Sequence, residues 1–139
     1  LSFFQSPSFG KRRYMTPEAL GYKKKAEKAL QAAEVLLKEH LPEDALSRVY
    51  YAMFYGALAA LSTLGIFPKT HKGVLLKFNE RFILTGELPK ETGRRLSDAF
   101  EKRQAVDYTL GYQISAEEVQ RLLTEANQFL DDLSEILGI

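Results

Sequence analysis

Residues 45–64 read ALSRVYYAMFYGALAALSTL, and from Val49 onward the stretch is apolar or aromatic on nearly every side of a helix. A helix that is hydrophobic all round lies inside a protein rather than on its surface. The run is too short, and too rich in Tyr, Gly, Ser and Thr, for a membrane span, which takes about 20 strongly apolar residues. It therefore predicts the central helix of a helical bundle. Ala52, Gly56 and Ala60 form a stripe of small residues at i, i+4 and i+8, where another backbone can come close. Arg48, Tyr51 and Tyr55 share a different face at i, i+3 and i+7. A cation at the edge of so apolar a helix needs a partner, because an unpaired buried charge is costly. That face is the first candidate for ligand binding.

On the N-terminal side, Thr16-Pro17-Glu18 is a helix start: an N-cap, a proline in the first turn and an acid near the positive end of the dipole. A first helix is expected over about residues 17–40, and Pro42 breaks it. The preceding residues 1–15, LSFFQSPSFGKRRYM, show no helical period and read as a leader or tag-like segment. On the C-terminal side, Gly65 is a C-cap for the central helix. Thr70 caps a third helix expected to run to about Leu84, and Pro89 opens a fourth that reaches about Tyr108. Ser115-x-x-Glu118 is a capping box before a fifth helix with a clear 3.6-residue apolar period. No segment alternates like a strand. Short connections make antiparallel neighbours, so residues 16–139 predict an all-α, up-and-down antiparallel bundle of about five helices.

The charge balance, 19 Lys+Arg against 18 Asp+Glu, favours neither nucleic acid nor membrane as a whole, so a nucleic-acid role needs a local basic patch. The chain has no Cys, which excludes disulfides, thiolate metal sites and a Cys nucleophile. Two His leave little material for a zinc site. No metal or other cofactor is expected. Gly-rich phosphate loops, the nucleophile elbow and paired-His metal motifs are absent. With no signal peptide or membrane span in view, the expected location is cytoplasmic.

The fourth helix holds the second candidate site. Leu96, Phe100, Arg103 and Asp107 fall on one stripe, so Arg103 and Asp107 share a face with core residues and can pair at i, i+4. Tyr108 and Tyr112 follow. Two readings stand side by side: an ion pair that stitches the bundle, and a polar pocket in which Arg103 binds a phosphate. Arginine suits the second because its planar fork matches phosphate geometry and stays charged. His71, beside the Thr70 cap in Lys69-Thr70-His71-Lys72-Gly73, reads first as a helix-start residue bonded to a neighbouring loop and second as a ligand-binding group. Arg94-Arg95 reads first as a solvated face, like Lys23-Lys24-Lys25, and second as a basic surface extended toward RNA.

Three blocks in this order, Ser47-Arg48-Val49-Tyr50-Tyr51-Ala52-Met53-Phe54, Lys69-Thr70-His71-Lys72-Gly73 and Arg103-Gln104-Ala105-Val106-Asp107-Tyr108, resemble the HEPN domain in its small stand-alone prokaryotic branch. The resemblance implies a helical bundle that forms homodimers. It also implies a separately encoded minimal nucleotidyltransferase as partner, in a toxin–antitoxin-like pair. Many members of the family are metal-independent ribonucleases whose signature is Arg, four to six residues, then His. Here Arg103 fits the arginine, Asp107 stands four residues on, and Tyr108 stands where the histidine would fall. No His follows Arg103.

Three functions follow as expectations. One is a module that binds RNA or a nucleotide at a dimer cleft through Arg48, Tyr51, Tyr55, His71 and Tyr112. Another is a ribonuclease toxin with an altered Arg-x4-Tyr site, in which Arg103, Asp107 and Tyr108 do the chemistry. The last is a structural partner domain with no ligand of its own. Exposed apolar residues supply a separate reason to expect a dimer: Phe67, Tyr108, Tyr112 and the small-residue stripe of the central helix exceed what one bundle needs.

Overall fold

The computed structural model describes residues 15–139. The expected leader lies outside the described residues except for Met15, which packs half-buried against the core. Five α-helices follow: α1 Pro17–Lys38, α2 Pro42–Ser62, α3 His71–Phe78, α4 Lys90–Tyr108 and α5 Ala116–Asp132. They form an up-and-down all-α bundle, with no strand among the described residues.

The local chemistry of the ends matches the punctuation of the sequence. Thr16 caps α1 by accepting from Ala19 N at 3.1 Å, and Thr70 caps α3 by accepting from Gly73 N at 2.9 Å. A Cβ at Gly73 would stand 2.8 Å from Thr70 Oγ1, so the glycine keeps the cap clear. At Ser115 only half of the capping box forms. Its hydroxyl accepts from Glu118 N, while the Glu118 carboxylate turns away to Arg121 at 2.8 Å. The guanidinium is a stronger partner for that carboxylate than a backbone N–H. It holds the Glu118 carboxyl below its usual range, through hydrogen bonding that outweighs burial. Beyond Phe78 the third helix ends in one wider turn, Asn79–Ile83, closed by Leu84 N donating to Asn79 O at 2.8 Å.

Helix α2 is the hub and touches α1, α3, α4 and α5. Buried residues occur all around it, Leu46, Tyr50, Met53, Ala57 and Leu61 among them, as an all-apolar helix requires. The stripe of small residues corrects one expectation. Ala52 and Ala60 are wholly buried, and Gly56 is covered by Leu130, Leu133 and Phe129 of the chain's own C-terminal helix. The stripe is spent inside the bundle and offers no surface to a second copy. A Cβ at Gly56 would lie 2.6 Å from Leu130 Cδ2 and 3.1 Å from Leu133 Cδ1. Gly56→Leu is therefore expected to overpack the α2–α5 seam and to lower the unfolding free energy by about 1–3 kcal/mol in urea titrations. An unchanged midpoint would show that the seam is loose.

Candidate functional site

The hub helix, the start of α3 and the end of α4 enclose an open groove of about 450 Å³. Tyr51 comes from α2, His71 and Lys72 from α3 with the capping Thr70 before them, and Phe100, Arg103, Gln104, Asp107 and Tyr108 from α4. The Thr70 cap positions the α3 end of this wall. One apolar stripe on α4, with Leu96 and Ala99 buried, rotates Arg103 toward α2.

Arg103 lies across two tyrosine rings, its Cζ 5.4 Å from the centre of Tyr50 and 5.0 Å from that of Tyr51. Such cation–π contacts contribute about 0.5–1 kcal/mol each where water still reaches the cation. The side chain keeps 24% of its surface exposed. Its Nε stands 3.2 Å from Asp107 Oδ2, as the i, i+4 spacing led one to expect, but the N–H is poorly aligned and the buried Nε has no hydrogen bond. Neither Nη has a hydrogen-bond partner among the described residues, and neither is among the buried unpaired atoms. Arg103 is thus held by its base and stacked on its face, with the fork left open to the groove.

His71 is held from three sides. Phe54 stacks on its ring with centroids 4.3 Å apart, Tyr51 meets it edge-on, and its Nδ1 lies 2.8 Å from the hydroxyl of Tyr50. The expected loop partner is replaced by a residue of the hub helix, because α3 starts directly over Tyr50 and Phe54. Burial, and secondly the Arg103 guanidinium, push the His71 imidazole below its ordinary value. Burial raises the Tyr50 phenol far above the usual tyrosine range, Arg103 opposing and Tyr51 adding.

Because the folded His71 imidazole lies below its ordinary value, the unfolded state binds more protons around that ordinary value and stability rises with pH there. Unfolding free energy is expected to fall as pH drops from about 7.5 to about 5.5, and His71→Gln is expected to flatten that slope. A slope unaltered in His71→Gln would assign it to other groups.

Of the residues singled out in the sequence, the groove gathers Tyr51, His71, Arg103, Asp107 and Tyr108. It leaves out three. The Arg48 guanidinium sits 4.9 Å over the Tyr51 ring, so its partner among the described residues is an aromatic face. Tyr55 packs on Tyr51 and Phe54, with Lys25 Nζ 5.3 Å above its ring. Tyr112 lies in the turn after α4 and does not line the groove. Tyr50, which the sequence reading places in a family-like block without a role of its own, bonds His71 here. The available signal was its hydroxyl, since a buried tyrosine needs a hydrogen-bond partner. Arg94 and Arg95 form no basic extension toward RNA: Arg94 pairs with Glu91 and Glu125, and Arg95 with Glu125 and Asp132. Among the described residues no group of three or more His, Cys, Asp or Glu could hold a metal, and no helix is long and apolar enough to cross a membrane.

The HEPN domain model matches residues 19–136. A protein of Methanocaldococcus jannaschii described as "Putative toxin" is 41% identical over 113 residues, covering 81% of this chain and 77% of its own length. A "UPF0332 protein" of Gloeobacter violaceus is 37% identical over 89% of this chain and 99% of its own length. Another "UPF0332 protein", from Thermotoga maritima, is 34% identical over 84% and 88%. Because the match runs from the first helix into the last turn of the chain and takes in every wall of the groove, this protein belongs to the HEPN domain family.

Proposed function

We propose that this HEPN protein binds RNA or a nucleotide through the Arg103 groove, as the toxin-like half of a pair with a separately encoded nucleotidyltransferase. One observation carries the reading: Arg103 lines the groove, and neither of its Nη groups has a hydrogen-bond partner among the described residues. The balance of charge supports it, since Arg103 and the exposed Lys72 face the single carboxylate of Asp107. The first-turn N–H groups of His71 and Lys72 lie where a helix start favours an anion. The toxin-like role is supported by the names of two relatives from Methanocaldococcus jannaschii.

The reading includes a homodimer of the bundle formed by residues 16–139, with residues 1–15 as a leader. Its support is an exposed apolar strip at the end of α4, where Tyr108 is 80% exposed and Leu110 fully so, continuous with the groove wall. The test is equilibrium binding of labelled single-stranded RNA and of ATP to the wild type and to Arg103→Gln. A wild type that holds neither in the micromolar range ends the proposal.

A second reading, metal-independent RNA cleavage, is favoured by one fact. His71 reaches the groove of Arg103 from another helix, so a titratable imidazole stands at the site although none follows Arg103 in the chain. Incubating the same RNA with the protein in excess chelator separates the two readings, because a binding module leaves it intact.

A further inference from the structure

Resting on that reading of the groove, we propose that Tyr50 fixes the proton of His71 on Nε2, making the imidazole a second phosphate donor beside Arg103 within one protomer. Tyr50 is wholly buried, and its one hydrogen-bond partner among the described residues is His71 Nδ1, at 2.8 Å. A phenol has one proton to donate. If Nδ1 carried the hydrogen and donated it, the Tyr50 O–H would be left without an acceptor in a dry site, at the full desolvation cost of a buried donor. If Tyr50 donates to Nδ1, every polar atom of the contact is satisfied. The neutral ring then holds its hydrogen on Nε2.

That atom is available. His71 Nε2 has no protein partner among the described residues and is not among the buried unpaired atoms, and the residue lines the groove. The stack on Phe54 and the edge contact with Tyr51 stop the ring from turning the nitrogen away. Arg103 lines the same groove, with its open fork. A preset donor and a forked cation converging from two helices suit the oxygens of a phosphate group, on a nucleotide or in an RNA chain. Tyr50 is the positioning residue of this arrangement, since it acts only through His71.

Long-range proton–nitrogen correlation spectra of the imidazoles at neutral pH are expected to show His71 as the Nε2-protonated neutral tautomer, and Tyr50→Phe as a mixture. Binding of AMP and of a short oligouridylate provides the second readout, the two probes separating a terminal phosphate from a chain phosphodiester. His71→Phe, which keeps the stack on Phe54, is expected to bind either probe about tenfold more weakly. His71→Gln places an amide N–H near the position of Nε2 and is expected to recover most of the loss. An Nδ1-protonated wild type, a tautomer unmoved in Tyr50→Phe, or a folded His71→Phe with full affinity would each overturn the inference. If Arg103→Gln weakens binding and His71→Phe does not, the inference alone falls. If neither does, the groove reading falls with it. The spectra decide the tautomer whether or not either probe binds.

Discussion

Replacing Arg103 by Gln is expected to weaken single-stranded RNA binding by about ten- to a hundredfold, because each hydrogen bond to a charged group contributes about 1.5–3 kcal/mol. The substitution keeps a polar, helix-compatible side chain and removes the fork. The bundle should tolerate it. The pair with Asp107 is an i, i+4 contact whose partners keep 24% and 36% exposure, and such pairs are worth about 0.3–0.5 kcal/mol. The contacts with the Tyr50 and Tyr51 rings add about 1–2 kcal/mol together. A melting temperature lowered by a few degrees and a large loss of affinity are therefore the expected combination. Arg103→Lys should fall between the two, since an ammonium keeps the charge but cannot present two parallel donors. The measurement is fluorescence anisotropy at one fixed salt concentration, because phosphate contacts weaken steeply as salt rises. Full affinity in a folded Arg103→Gln would leave the guanidinium as a stitch between α4 and α2 and would favour a structural role for the domain.

The largest stability effect is expected far from the groove, at Asp132. This carboxylate is 9% exposed and ties α5 to α4. It accepts from the wholly buried Thr92 hydroxyl at 2.7 Å, from Gln128 Nε2 at 3.0 Å and from Arg95 Nη1 at 3.4 Å. Arg95 already has a buried Nε without a hydrogen bond. Asp132→Ala would leave Arg95 only its 3.6 Å pair with Glu125 and leave the Thr92 hydroxyl without its acceptor. Removing one partner of a buried ion pair costs about 3–5 kcal/mol, a large share of the roughly 5–15 kcal/mol that holds a domain of this kind together. Urea unfolding should show that loss. Asp132→Asn, which keeps an acceptor for Thr92, should lose less. The exposed pair Lys77–Glu80, with 47% and 53% of the side chains in water, makes the control, and breaking it should cost less than about 0.5 kcal/mol. Equal effects at the two places would mean that water reaches Asp132 in solution.

Much of the architecture can be read from residues a few positions apart. Thr16-Pro17-Glu18, Thr70 with Gly73, and Ser115 declare where helices start, because a cap satisfies N–H groups within its own first turn. The unbroken apolar character of 49–64 marks a helix that must be surrounded, and α2 is. The pairing of Arg103 with Asp107 is likewise a matter of helical pitch.

Distances across the bundle are another matter. That Tyr50 reaches His71, that Phe54 seats the same ring, and that Tyr51 lines the groove while Arg48 and Tyr55 do not, all depend on how α3 and α4 sit on α2. The fate of the Ala52–Gly56–Ala60 stripe and of Arg94-Arg95 was likewise decided by α5, which covers the first and neutralises the second. Helical period tells which residues share a face, since neighbours along the chain dictate it. Which face meets which, and in what register, is chosen by side-chain packing summed over the whole core, and no local stretch carries that sum.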